Sequence, residues 1–256
     1  MSILDAFSLK GKVAIVTGSS TGLGQGMCLG LAEAGADIVG IDYVDSNDTK
    51  VMVESMGRKF LSITANLITI KPTGLKDLVN MAVEHFGHVD ILVNNAGIIR
   101  REDTLEFSEQ NWDDVMNINL KTVFFFSQAV ANQFIKQGNG GKIISIASML
   151  SYQGGIRVPS YTASKSGVKG ITMTMANEWA KYGINVNAIA PGYMATNNTA
   201  ALRDDEKRAG QILERIPAGR WGTPKDVAGA AVFLASDNSN YIHGYTIAVD
   251  GGWLGR

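Results

Sequence analysis

In the run "SYQGGIRVPSYTASKSG" Tyr161 and Lys165 stand four residues apart, a spacing that puts both on one face of a helix. An ammonium group beside a phenol is expected to lower the phenol pKa from its ordinary value of about 10. A phenol tuned in this way can exchange a proton with a hydroxyl or carbonyl near neutral pH. That is half of an alcohol oxidation, and the other half, a hydride, goes to a nicotinamide. Tyr152, nine positions earlier, has no lysine one turn away and reads as a cleft-wall or packing residue.

A nicotinamide dinucleotide needs a cradle, and "TGSSTGLG", Thr17 to Gly24, has the composition of one. Gly18, Gly22 and Gly24 let the backbone turn tightly and approach a pyrophosphate, which the next helix meets with its free N–H groups and dipole. Asp42 ends the second strand-like run eighteen residues after Gly24, near the ~20-residue offset at which a carboxylate meets the adenosine ribose 2′-hydroxyl. That carboxylate would repel a 2′-phosphate, and no lysine or arginine adjoins it, so NAD is expected over NADP. Asp45 and Asp48 read as turn residues.

The elements that must hold these residues are legible as alternating runs. Apolar, β-rich stretches occur at 12–17, 37–42, 59–65, 89–95, 141–148, 184–190 and 245–250, several apolar almost throughout, as strands covered on both faces must be. Helix-like stretches lie between them at 22–35, 74–87, 108–137 (two helices), 160–182 and 224–236. Repeated β-α units predict an α/β fold, a Rossmann-type doubly wound parallel sheet of seven strands with helices on both faces. The helix after Pro159 has an apolar stripe, Val168, Ile171, Met175 and Trp179, and a row of small residues, Ser164, Gly167, Gly170 and Thr174, which suits close packing within the subunit or against a partner. The polar, least regular segment, 193–222, is expected to cover the cleft as a substrate lid. Residues 1–256 are expected to form one domain.

Composition narrows the function classes. With 45% hydrophobic residues, 18% charged residues and a formal net charge of -1, neither disorder nor a nucleic-acid partner is indicated. Cys28 is the single cysteine, the N-terminal run lacks a signal-like apolar stretch, and no membrane span is evident, so a cytoplasmic protein with no membrane partner is expected. His85 and His88 are three apart with no cysteine nearby and His243 is isolated, so no metal site is expected.

At this point the chain resembles the short-chain dehydrogenase/reductase family, from about Leu9 to Trp253. The resemblance rests on "TGSSTGLG", "NNAG" at 94–97, Asn119 in "MNINLK", Ser148, "YTASK", "PG" at 191–192 with Thr196, and "VDGG" at 249–252. It implies Tyr161 as acid/base, Lys165 as its electrostatic partner and ribose contact, Ser148 as the hydroxyl that holds the substrate oxygen, and Asn119 as support for a water-linked proton relay. It also implies cofactor contacts at Ser20, Leu23, Asn66, Leu67, Asn94, Ala96, Gly97, Pro191, Gly192 and Thr196, and a homotetramer. Asn66 stands where the family usually has aspartate; its amide oxygen can still accept from the adenine amino group, without charge assistance.

Arg100 and Arg101 follow "NNAGII", and Arg157 lies with Gln153 between Ser148 and Tyr161. Arginine suits bidentate carboxylate recognition, so a polar cleft for a small sugar acid is expected, with Ser148 and Tyr161 at the reacting oxygen. "NNAGIIRR", "SYQGGIRVPSYTASKS", "NAIAPGYMAT" and "RIPAGRWGTP" are similar to sugar-acid dehydrogenases of the family. That similarity implies NAD-linked interconversion of a 2-keto-3-deoxy sugar acid and its 2,5-diketo form. Gluconate oxidation at carbon 5, reduction of 3-oxoacyl groups on a carrier protein, and a catalytically silent NAD-binding regulator are the alternatives. The intact Ser148, Tyr161, Lys165 and Asn119 set argues against the last.

Overall fold

The computed structural model describes residues 2–256. Its strands are β1 (Val13–Thr17), β2 (Asp37–Asp42), β3 (Phe60–Thr64), β4 (Ile91–Asn94), β5 (Gly141–Ile146), β6 (Ile184–Pro191) and β7 (Thr246–Val249). All pair in parallel in the order β3-β2-β1-β4-β5-β6-β7, the doubly wound sheet that the alternating runs predict.

Burial on both faces explains the apolar strands. In β1, Val13 and Ile15 enter one core with Leu75, Phe126 and Met175, while Ala14 and Val16 enter the other with Met27, Leu31 and Val227. Successive side chains of a strand point to opposite faces. Helices α3 (Pro72–Phe86), α5 (Thr122–Gln137) and α6 (Pro159–Trp179) therefore cover one side, and α1 (Gly22–Glu33) and α9 (Pro224–Ala235) the other. Helix α2 (Asn47–Ser55) was not among the helix-like runs, because it buries only Thr49 and Val53 and so shows little apolar periodicity.

The stretch 108–137 forms α4 (Glu109–Met116) and α5, joined by a π-helical turn at Asn117–Lys121. The irregular segment 193–222 contains two helices, α7 (Ala200–Asp204) and α8 (Glu206–Arg215). In α8 Ile212 is the buried residue, so polar composition concealed its helical period. The chain leaves β1 in one direction through β2 and β3, then returns to β4 on the other side of β1. The C-terminal ends of β1 and β4 flank this switch point, where open α/β sheets bind ligands.

Candidate active site

Two loops meet at the switch point. Thr17 Oγ1 accepts the N–H groups of Asn95 (3.0 Å) and Ala96 (2.9 Å), and Asn95 Nδ2 donates to the Thr17 carbonyl at 2.8 Å. This staples the glycine loop to the loop after β4. A Cβ on Gly24 would overlap the Gly18 carbonyl oxygen, so only glycine lets α1 start this close to β1. Asp42 is held in place as the acceptor of the Ser20 N–H (2.8 Å) and the Tyr43 N–H (2.6 Å).

A cavity of about 320 Å³ opens among these residues. Of the residues singled out as cofactor contacts, Gly18, Ser20, Gly22, Leu23, Asp42, Ala96, Gly97, Tyr161, Lys165 and Thr196 line it, together with Asn95, Ile98, Ile99 and Thr199, which the sequence did not single out. The tight turn, the helix N-terminus at its edge and the fixed Asp42 carboxylate fit a dinucleotide.

Other expected contacts sit off this cavity. Asn94 turns inward, its Nδ2 donating to Ser127 Oγ (3.0 Å) and Ser145 Oγ (3.3 Å), and so braces β4 instead of lining the adenosine side. Asn66 Oδ1 accepts from its own loop, the Ile68 N–H, at 3.0 Å. Leu67 and Pro191 are buried, and Gly192 borders a second cavity.

The chemistry-bearing side chains converge where α6 begins. Ser148, just past β5, caps a short turn: its Oγ accepts the Leu150 N–H at 3.1 Å, which leaves its O–H available to donate. Ser151 completes this cap by accepting the Ser148 N–H at 3.3 Å and donating to the Lys165 carbonyl at 2.6 Å. Ser151 thus ties the serine loop to the tyrosine helix, a contact invisible in sequence spacing.

Lys165 is buried, with Nζ donating to the Ile146 carbonyl at 2.6 Å and lying 5.7 Å from the centre of the Tyr161 ring. Desolvation pushes its ammonium down to about 8. Burial raises the Tyr161 phenol pKa, against the lowering actions of the Ser148 hydroxyl and the Arg101 guanidinium. Lys165, whose Nζ donates to the strand carbonyl of Ile146, is not among the groups that lower the phenol here.

Asn119 is fully buried in the π-helical turn. Its Nδ2 donates to the Ile98 carbonyl and its Oδ1 accepts the Ile98 N–H, both at 2.9 Å. A Cβ on Gly97 would lie 2.9 Å from Asn119 Oδ1 and 3.7 Å from Lys165 Nζ, so the glycine admits both polar side chains to one spot.

Tyr161 separates the first cavity from the second, of about 370 Å³. Ser148, Gln153, Tyr193, Trp253 and three arginines, Arg101, Arg208 and Arg215, line it, and among the described residues no aspartate or glutamate does. Arg208, Arg215 and Trp253 went unnoticed in the sequence; the signal was the spacing of Arg208, Gln211, Ile212 and Arg215, one face of α8. Gln153 and Arg101, both singled out in the sequence, border this cavity. Arg100 and Arg157 line neither cavity. Arg157 instead adopts a left-handed backbone (φ 64°), with its carbonyl accepting the Glu102 N–H at 3.2 Å. Tyr152 packs outside, under Lys169 at 3.9 Å, as a residue without a catalytic partner should.

A family model described as enoyl-(acyl carrier protein) reductase matches residues 18–254. The chain is 70% identical over 254 residues to the 2-dehydro-3-deoxy-D-gluconate 5-dehydrogenase of Escherichia coli (strain K12), covering 99% of this chain and 100% of the relative. Among solved structures it resembles a protein of Agrobacterium tumefaciens provisionally described as a 2-deoxy-D-gluconate 3-dehydrogenase with bound NADP (TM-score 0.91, 52% identity, covering 98% and 99%). It also resembles a gluconate 5-dehydrogenase of Burkholderia cenocepacia in complex with NADP and tartrate (TM-score 0.93, 37% identity, covering 100% of both). With the parallel sheet, the stapled glycine loop and the Ser148, Tyr161, Lys165 and Asn119 cluster, these matches establish that the chain belongs to the short-chain dehydrogenase/reductase family, oxidoreductases that act on CH–OH groups.

Proposed function

We propose that this protein is an NAD-dependent 2-dehydro-3-deoxy-D-gluconate 5-dehydrogenase, interconverting that sugar acid and 3-deoxy-D-glycero-2,5-hexodiulosonate in uronate breakdown. The observation that carries the reading is the second cavity, which Ser148, Tyr161 and three arginines line, with no carboxylate among the described residues. The three guanidinium groups suit a small polyhydroxy anion. The name of the 70% identical relative supports the same substrate.

Tyr161 donates its phenolic proton to the carbonyl oxygen during reduction and accepts one during oxidation. Ser148, its lone pair already engaged by Leu150, donates its O–H to the same oxygen and holds it toward Tyr161. Lys165 and Gly97 line the cofactor side of that point, and the donors that Lys165 does not spend on Ile146 suit the ribose hydroxyls. When bound there, the nicotinamide supplies or receives the hydride. Asn119 supports the relay by positioning the loop that bears Gly97 and Ile98.

NAD is favoured because Asp42, fixed by two backbone N–H donors at the cavity's edge, would meet a 2′-phosphate with like charge. The NADP named in two related structures belongs to those proteins. The 193–222 segment acts as the lid of a single-domain subunit. A homotetramer in the cytoplasm completes the reading, without nucleic acid, membrane or metal; among the described residues no helix is long and apolar enough to cross a membrane.

Gluconate 5-dehydrogenase activity is the second reading, favoured by the tartrate-bound relative. Absorbance of NADH at 340 nm is followed with 2-dehydro-3-deoxygluconate, 2-deoxygluconate, gluconate and a 3-oxoacyl thioester. The deoxy sugar acids should give the highest kcat/KM; turnover confined to the thioester with NADPH would overturn the reading.

A further inference from the structure

Arg215 is the last residue of α8 and lies in the segment over the cleft. Its guanidinium carbon is 4.1 Å from the centre of the Trp253 ring. Trp253 is 4% exposed, packs edge-on against Tyr193 at 4.8 Å, and donates its Nε1–H to Gln153 Oε1 at 3.2 Å. A guanidinium laid on an indole keeps its in-plane N–H donors open while losing rotational freedom. Among the described residues Arg215 makes no side-chain hydrogen bond or ion pair, and Gln153, its oxygen engaged, keeps its amide N–H donors.

The three cavity arginines differ in place. Arg101 borders both cavities beside Tyr161, so it stands near the reacting oxygen. Arg208 and Arg215 are both exposed, but Arg208 reaches Gln211 Oε1 at 3.4 Å whereas Arg215 lies over Trp253. Arg215, Trp253 and Gln153 border only the second cavity, away from the cofactor side. A sugar acid reacting at carbon 5 carries its carboxylate four carbon–carbon bonds from the reacting atom, which calls for a cation in the part of the second cavity that the first does not share.

Resting on the sugar-acid reading above, we propose that Arg215, lying over Trp253, is the specificity-determining residue that binds the substrate carboxylate, with the Gln153 amide as second donor. The C-terminal turn has a role in this arrangement: Asp250 accepts the Gly252 N–H at 2.9 Å and the Leu254 N–H at 2.8 Å, which sets Trp253 beneath the arginine.

The test compares wild type, Arg215→Gln, Arg215→Lys and Arg208→Gln. Steady-state rates are measured with 2-dehydro-3-deoxy-D-gluconate and with its uncharged amide, and calorimetry measures the binding of tartrate to the enzyme–NADH complex. Arg215→Gln should lower the acid-to-amide ratio of kcat/KM about tenfold or more, through KM, and weaken tartrate to a similar degree, because a charge-assisted bidentate contact is lost. Arg215→Lys should restore part of the ratio, and Arg208→Gln should move it less than about threefold. NADH affinity should stay the same in all variants. An unchanged ratio in Arg215→Gln, or a collapse in Arg208→Gln instead, overturns the assignment. Failure of the wild type to turn over any sugar acid would defeat the functional reading alone, since loss of tartrate binding in Arg215→Gln still identifies the anion site.

Discussion

The side-chain amide of Asn119 and the backbone of Ile98 exchange two hydrogen bonds of 2.9 Å each, closing a ring between the π-helical turn and the loop after β4. The wide turn admits a polar side chain to a fully buried position, and such turns inside α-helices frequently mark functional sites. Asn119→Ala would strand both backbone groups of Ile98, at a cost of about 1–3 kcal/mol. Urea denaturation should show that loss, and kcat should fall more than about tenfold as the loop bearing Gly97 loosens. A variant with wild-type stability and turnover would show that the ring positions nothing.

Tyr161→Phe removes the proton donor while keeping the ring. Its kcat should fall by about 10²-fold or more, with dinucleotide affinity within about threefold of wild type as measured by fluorescence titration. In the reducing direction the protonated phenol is the active form, and burial raises its pKa, so wild-type kcat/KM should hold through neutrality and decline on the alkaline side. A residual phenylalanine activity with the same alkaline limb would assign that limb elsewhere.

The proposed preference for NAD rests on the charge of Asp42 and on its anchoring by the Ser20 and Tyr43 N–H groups. Asp42→Ala should weaken NADH and strengthen NADPH, shifting the preference by about two orders of magnitude, as removal of one like-charge contact and one ribose hydrogen bond together imply. Parallel kcat/KM measurements with both dinucleotides check this, and an unchanged preference would remove Asp42 from its role.

Lys142 lies at the opposite end of the sheet, buried, with Nζ donating to Asn185 Oδ1 (3.0 Å), Asn240 Oδ1 (2.5 Å) and Ser239 Oγ (3.4 Å). Burial pushes its pKa from 10.5 down to about 8, with Asp237 opposing, and Lys165 is lowered likewise. Between these values the unfolded chain binds more protons than the folded one, so stability rises with pH, by up to about 1.4 kcal/mol per pH unit for each lysine. Lys142→Met should flatten that rise by about one proton's worth between pH ~8 and ~9.5. Denaturation curves at several pH values read this difference, and parallel pH profiles for wild type and variant would contradict it.

Much of this was legible beforehand because it is local or periodic. The strands announced themselves by unbroken apolar runs, the glycine loop by composition, and Tyr161 with Lys165 by a spacing that any helix converts into one face. Helices α2 and α8 were not legible, since each buries one or two side chains and so leaves no apolar stripe. The arginines show the same limit from the other side. Arg100, Arg101 and Arg157 are close to the motif in sequence, yet only Arg101 borders a cavity.

The linear order of residues was therefore enough to determine the α/β architecture, the glycine turn after β1 and the pairing of Tyr161 with Lys165 on one helix, because short-range sterics and burial decide them. Tertiary structure alone decided that Ser151 locks Ser148 to α6, that Asn94 faces inward, and that Arg215 meets Trp253 and Gln153 across long sequence separations. Those contacts join segments that come together only when the sheet closes its two cores, and no spacing along the chain encodes which side chains then face one another.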